Sequence, residues 1–293
     1  MVRPLESASA IEAVAAKLLR SADAYGRIPT PVDEIIEVAK LTMADDYVLN
    51  ESMISRAPAW MREKLRSVQH KTLGLVDRRE RVVHIDPGIE HEGKRRFVTF
   101  HEVIHDATPH QKDLLYADDN DSLSPATRRL FEREANYGAA ELLFQREFFA
   151  REVRELEVST GTVWHLSDRY GASFHATLRR YAEMHPQTVA AIVLDRRPLG
   201  GSPTRWKRDE YMVTPAWVER FGAPVWPNVM SELEYPFLSA VQFDGLNEAP
   251  LSGGSGERPI VRVDTCTNTY KKFVLLWMPK KTKIRRPVRV RAA

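Results

Sequence analysis

Two of the nine histidines stand four apart, with a glutamate directly after the first, in His101-Glu102-Val103-Ile104-His105. On a helix, residues four apart lie on one face about one turn apart, so both imidazoles can reach a single metal ion. Glu102 is rotated about 100° from His101. That places it beside such an ion rather than on it, where a general base for an activated water belongs. With this composition the pattern arises by chance in roughly two chains in a hundred, so its surroundings decide. Phe97, Val98, Phe100, Ile104 and Ala107 give the segment a buried helical pattern. Two buried imidazoles without partners are costly, and a shared metal removes that conflict.

A catalytic zinc site takes three protein ligands and leaves one position for water. His110 follows Pro109 and falls off the spacing of a third histidine ligand. The better source is the segment from Phe131 to Leu143, where Ala135, Gly138, Ala139 and Ala140 let a helix approach another backbone closely. Glu132 and Asn136 are four apart and share a face. Glu132 is therefore the expected third ligand, and Asn136 is expected to support a histidine ring nitrogen from behind. Glu134, about 200° round the helix from Glu132, is expected to face elsewhere. Two imidazoles and a carboxylate suit zinc best, and manganese also fits.

The elements that must hold these residues can be read around them. Helices are predicted over 7–24 and 32–42, the second with Thr30 as N-cap and Pro31 at the first helical position. Thr72–Val76 and Arg81–Ile85 read as the arms of a hairpin, and the His pair lies on a helix from about Lys94 to Thr108. Ser124-Pro125 starts a long helix running to about Arg151. Two shorter helices follow, over 162–169 and 174–184. Their pattern of Leu166, Tyr170, Ser173 and Leu178-Arg179-Arg180 raises a DNA-reading helix-turn-helix as an alternative to simple packing. From Gln187 onward strands dominate, over Thr188–Leu194, Leu238–Phe243, Ile260–Val263 and Lys272–Met278.

With both motif helices in view, the chain resembles the ImmA/IrrE metallopeptidases, gluzincin-like zinc enzymes of bacteria, their phages and mobile elements. The likeness rests on H-E-x-x-H, on E-x-x-A-N-x-x-A-A-x-L-L 31 residues later, and on Pro31-Val32-Asp33. Matched position by position, it implies His101, His105 and Glu132 as zinc ligands and Glu102 as the catalytic residue. It also implies that Glu102 takes a proton from water and passes it to the leaving amine, and that the strand Arg81–Ile85 is an edge that aligns an extended peptide. The substrate implied is a helix-turn-helix (Xre-like) repressor, whose cleavage releases stress-response, phage or defence genes. Two departures stand out: Tyr137-Gly138 replaces a bulky apolar residue beside the Ala pair, and Phe144-Gln145 replaces Met-Pro.

Composition bounds the rest. The chain has 293 residues, 43 Lys+Arg against 40 Asp+Glu, and one cysteine. That excludes an internal disulfide framework and any multi-cysteine zinc site. The longest apolar run, Phe273–Met278, is far short of the roughly 20 residues of a membrane span. The first apolar stretch is broken by Glu12 and Lys17, so no secretory signal is expected and the location expected is cytoplasmic. Lys280, Lys281, Lys283, Arg285, Arg286, Arg289 and Arg291 concentrate positive charge in the tail. With the tryptophans at 206, 217, 226 and 277, they make single-stranded DNA a candidate activator, through charge and stacking. A small-molecule ligand competes with it. The lone thiol, Cys266, is either a small semi-buried residue or an inhibitory fourth ligand to zinc.

The resulting expectation is an α+β chain. Residues 1–186 form a zincin-like metallopeptidase domain with a helical extension, and residues 187–293 a strand-rich regulatory domain with a basic tail. The rival reading is a non-enzymatic, metal-stabilised regulator that sequesters a repressor or nucleic acid.

Overall fold

The computed structural model describes residues 5–44, 73–78, 80–111, 124–200, 202–240, 247–251 and 259–278. The chain divides into two units, one comprising Met1–Glu157 and Thr162–Tyr181, the other Val158–Gly161 and Ala182–Ala293. Val158–Gly161 joins the second unit, where buried Asp264 accepts hydrogen bonds from the backbone and hydroxyl of Thr160 at 2.8 and 2.7 Å.

The first unit begins with α1 (Ala8–Ser21), which buries Ile11, Ala15, Leu18 and Leu19, a single apolar stripe. Helix α2 (Val32–Val38) begins at the first residue of the predicted range but has Pro31 as N-cap and stops short of residue 42. Thr30 does not cap it, because its hydroxyl donates to the Leu142 carbonyl at 2.7 Å. A three-stranded sheet follows, made of β1 (Thr42–Met43), β2 (Gly74–Asp77) and β3 (Val82–Ile85), in the order β1-β3-β2. Strand β3 is parallel to β1 and antiparallel to β2, with Gly74 opposite Ile85 and Val76 opposite Val83. The Arg81–Ile85 arm is thus the middle strand, paired on both sides. The edges are β1 and β2, neither of which has an outer partner among the described residues.

Arg81 joins this hairpin to its neighbours. Its guanidinium donates to the carbonyls of Ala39 and Lys40 and to the carboxylate of Asp106, the residue after His105. Helix α3 (Glu92–Ala107) carries the histidine pair. Its N-cap is His91, and its backbone turns extended at Thr108, just before Pro109. Helix α4 (Pro125–Phe144) is capped by Ser124, whose hydroxyl accepts from the Thr127 amide. The helices α3 and α4 lie close because Gly138 has no side chain: a Cβ there would sit 2.8 Å from three side-chain carbons of Ile104.

The long helix predicted to run to Arg151 is broken. Gln145 takes a left-handed conformation, with φ of 42°, and α5 (Arg146–Glu155) starts after it. Its side-chain amide explains the break. The NH2 group donates to Ala24 O, Arg27 O and Thr30 Oγ1, and Oε1 accepts from the Gly26 amide at 2.7 Å. The turn between α1 and α2 is thereby tied to the end of α4. Helices α6 (Thr160–Tyr170) and α7 (Phe174–Met184) are packed through their apolar faces. Leu166, Tyr170 and Leu178 are fully buried, and Arg180 donates to the buried Glu141 carboxylate at 2.6 Å.

The second unit is a six-stranded antiparallel sheet with a helix. It comprises β4 (Val189–Asp195), β5 (Arg205–Val213), α8 (Pro215–Phe221), β6 (Val229–Ser231), β7 (Asn247–Pro250), β8 (Ile260–Thr267) and β9 (Lys271–Trp277), in the order β6-β5-β4-β9-β8-β7. The strand expected from Leu238 does not form. Pro236–Ser239 is a 3-10 turn that buries Phe237 and Leu238, and 241–243 lie outside the described residues. Ile192, Leu194, Met230, Phe237, Val261, Val263, Val274 and Leu276 build one core with three tryptophans. No helix among the described residues is long and apolar enough to cross a membrane.

The Gln145 amide yields a stability prediction. Gln145→Ala removes four hydrogen bonds, and urea unfolding is expected to show a loss of about 2–4 kcal/mol. Gln145→Gly, which relieves the left-handed backbone, is expected to recover part of it.

Candidate metal centre

Helix α3 presents His101 and His105 one turn apart, with Nε2 atoms 3.0 Å from each other. Across from them α4 brings Glu132, whose Oε2 is 3.4 Å from His101 Nε2 and whose Oε1 is 3.6 Å from His105 Nε2. These three residues form a group able to hold a metal ion. The spacing is compatible with a metal ion. Ligand bonds of about 2.0–2.1 Å in a tetrahedron put neighbouring donors about 3.3–3.4 Å apart, and the three separations bracket that value. The imidazoles are largely enclosed, whereas the Glu132 side chain is 61% exposed, so the group opens to solvent on the α4 side.

The electrostatics fit a cation held between these groups. Hydrogen bonds from both histidines, together with their charge, hold the Glu132 carboxyl far below the usual carboxylate range despite partial burial. Burial works to lower the His105 pKa, but hydrogen bonds to Glu132 and Gln111 and the charge of Glu102 raise it on balance. The apo site therefore attracts a proton where it could otherwise take a metal.

Glu102 stays outside the three-residue group. It is buried beside the histidines, and burial pushes its carboxyl above the usual range, against the lowering influence of His101, His105 and Arg78. Its near neighbour is Gly74 at the start of the edge strand β2. A Cβ at 74 would lie 2.9 Å from Glu102 Oε1 and 2.7 Å from Val98 Cγ1. The glycine lets β2 lie directly against the catalytic candidate.

Asn136 does not do what its spacing suggests. It is exposed and makes no hydrogen bond to either ring among the described residues. Position 136 falls on the outer flank of α4, and the ring support comes instead from Gln111. Its Oε1 accepts from His105 Nδ1 at 2.7 Å, while its Nε2 donates to Glu134 at 2.6 Å. Glu134 does face away from Glu132, as its angle requires, and that direction is the protein interior, where it is 1% exposed. It accepts further from His110 Nε2, at 2.7 Å, and from Ser7. Burial opposes ionisation of Glu134, and the bonds from Ser7, His110 and Gln111 outweigh it, so its carboxyl stays below the usual range. A signal for Glu134 was present in the sequence: it interrupts the apolar stripe Phe131, Ala135, Gly138, Ala139, Leu142. Gln111 carried none.

Residues 54–181 match the IrrE N-terminal-like domain of the Peptidase_M78 family. The matched stretch contains His101, Glu102, His105 and Glu132, so the metal-compatible group lies within the part of the chain that is similar to a metallopeptidase family. No curated protein matches the chain. A solved structure similar to it is a Mycobacterium tuberculosis transcriptional regulator, 14% identical, covering 91% of this chain and 74% of that one, with a TM-score of 0.47.

The other candidates lie away from this group. Cys266 is fully buried in β8, opposite Phe273 in β9, and is no member of the metal-compatible group. A thiol on an inward-facing strand position packs as a small apolar group. The four tryptophans are also interior: Trp206, Trp217, Trp226 and Trp277 are all buried, and three of them belong to the core of the second unit. They offer no platform for stacked bases. Lys280, Lys281, Lys283, Arg285, Arg286, Arg289 and Arg291 lie outside the described residues.

Truncating the carboxylate separates ligand from bystander. Glu132→Ala is expected to weaken zinc binding by more than the roughly 10- to 100-fold that loss of an outer partner causes. Asn136→Ala is expected to leave affinity unchanged. Competition against a chromogenic chelator measures both.

Proposed function

We propose that this protein is a zinc-dependent endopeptidase of zincin-like architecture, which cleaves a helix-turn-helix (Xre-like) repressor in the cytoplasm and so derepresses the genes it controls. The observation that carries the chemistry is the convergence of two imidazoles and a carboxylate at tetrahedral spacing, with the buried Glu102 carboxylate alongside. Two nitrogen donors and one oxygen donor favour zinc, and manganese is the second choice. When bound, the ion supplies Lewis acidity and lowers the pKa of water at the position left open by three protein ligands.

The chain's own residues supply the rest. Glu102 takes the proton of the attacking water and returns it to the leaving amine nitrogen. A carboxyl held above its usual range by burial suits a group that must both accept and release a proton near neutrality. The outer edge of β2 offers backbone donors and acceptors to an extended peptide, in the manner of strand addition. Gly74 sets that edge against Glu102, so a peptide added there runs past the base.

The repressor enters as what the family resemblance suggests for the substrate. Residues 187–293 are assigned a regulatory role on the same ground. Single-stranded DNA is left out of this reading, because the tryptophans that argued for it belong to the core. The rival is a regulator that keeps the metal for folding and sequesters its partner. The difference between the two is Glu102, which hydrolysis needs and a purely structural site does not.

Incubating a helix-turn-helix (Xre-like) repressor with wild type and with Glu102→Gln tests the reading. Wild type is expected to cut and Glu102→Gln to lose at least about 100-fold in rate, with zinc content unchanged. Equal binding of the repressor by both, without cleavage, is the result that establishes sequestration instead. Gly74→Ala is expected to lower turnover by about 10- to 100-fold through displacement of Glu102. Zinc affinity, which the strand does not touch, is expected to stay at the wild-type value.

A further inference from the structure

Behind the metal-compatible group lies a polar chain that the mechanism above does not use. Gln111 is fully buried, and both ends of its amide are engaged, one with His105 Nδ1 and the other with Glu134. Glu134 is buried on α4 and gathers three donors: Gln111 Nε2 and His110 Nε2 on Oε2, and the Ser7 hydroxyl on Oε1. These donors come from the segment before α1 and from the segment after α3.

We propose that Gln111 and Glu134 are positioning residues that act in series to fix the tautomer of His105, keeping its Nε2 lone pair turned toward His101 and Glu132. The inference rests on the metallopeptidase reading and names two further residues for that site. A carboxylate that already accepts from Ser7 and His110 has only acceptor capacity to offer Gln111. The amide of Gln111 must therefore turn its NH2 toward Glu134, which leaves its carbonyl oxygen toward His105. A carbonyl oxygen only accepts, so Nδ1 carries the proton. A neutral imidazole has one N–H, and Nε2 is left bare at 3.0 Å from His101 Nε2. With the amide turned the other way, its NH2 would face Nδ1 and the proton would move to Nε2, where it blocks a metal. The order Glu134, Gln111, His105 permits one direction only.

The test uses the full chain and reads zinc affinity by chelator competition, the visible spectrum of the cobalt-loaded protein, and apo-protein unfolding. Wild type is expected to bind one zinc. Gln111→Leu, close in size but without an acceptor, is expected to lose about 10- to 100-fold in affinity and to alter the cobalt spectrum. Gln111→Glu is expected to lose as much, because two carboxylates then meet where an amide and a carboxylate met. The double variant Gln111→Glu/Glu134→Gln keeps the direction of the chain, with an acceptor facing His105 and an NH2 behind it. It is expected to return to within about threefold of wild type.

Wild-type affinity in Gln111→Leu overturns the proposal. So does a double variant no better than Gln111→Glu, with apo stability lowered in parallel, which makes the chain mere packing. A wild-type protein with no zinc affinity overturns the metallopeptidase reading itself, and that outcome is separable because the variants then never enter the comparison.

Discussion

Everything at the candidate centre depends on how closely α4 can approach α3. A ligand set shared between two helices requires the Glu132 carboxylate to reach the imidazoles of His101 and His105, and ordinary side chains in the interface would hold the backbones too far apart. Gly138 removes the obstacle at Ile104, and Ala135 and Ala139 continue the flat surface on either side. Dense packing has a second effect. The interface cannot widen without opening a void, so apolar packing holds the two ligand-bearing helices at a fixed separation.

The polar groups inherit that rigidity. Glu134 sits in the apolar stripe of α4 and is tolerated because Ser7, His110 and Gln111 satisfy it. Arg81 does the same for buried Asp106, joining the β-hairpin to the end of α3 beside His105. The Gln145 amide closes the other end of α4 onto the turn before α2. In each case a buried polar side chain joins two segments distant in sequence, so a small helical unit is cross-linked around its metal-compatible group without a disulfide.

The legible parts of this structure were those with local causes. Helical spacing located His101, Glu102 and His105. Small residues and the four-residue step located Glu132, and Ser124-Pro125 announced α4. The metal-compatible group could be assembled on paper because its three members carry their own chemistry. What escaped was whatever depended on a distant partner. Asn136 and Gln111 look alike as candidates for an imidazole, and only the tertiary fold shows that 136 faces outward while 111 is buried at Nδ1. The break at Gln145 was hidden because a glutamine normally continues a helix, and its left-handed backbone is held by hydrogen bonds to residues 24–30. The tryptophans misled for a similar reason: aromatic residues near a basic tail read as a stacking surface until the sheet that encloses them is known. Strand β5 has a weak local pattern and emerges from pairing with β4, whereas α8 carries the same cap-and-proline start as α4, in Thr214-Pro215.

The brevity of β2 bears on what such a site could choose. Four residues of edge accept about 13 Å of extended chain, and pairing there requires a partner whose backbone hydrogen-bonding groups are not already engaged. Helices of a folded DNA-binding domain fail that condition, since their amides and carbonyls are satisfied internally. An inter-helix linker, or a segment that opens transiently, meets it. Pairing at such an edge would then track the local stability of a partner more than its sequence, and a ligand that rigidifies the partner would shield it.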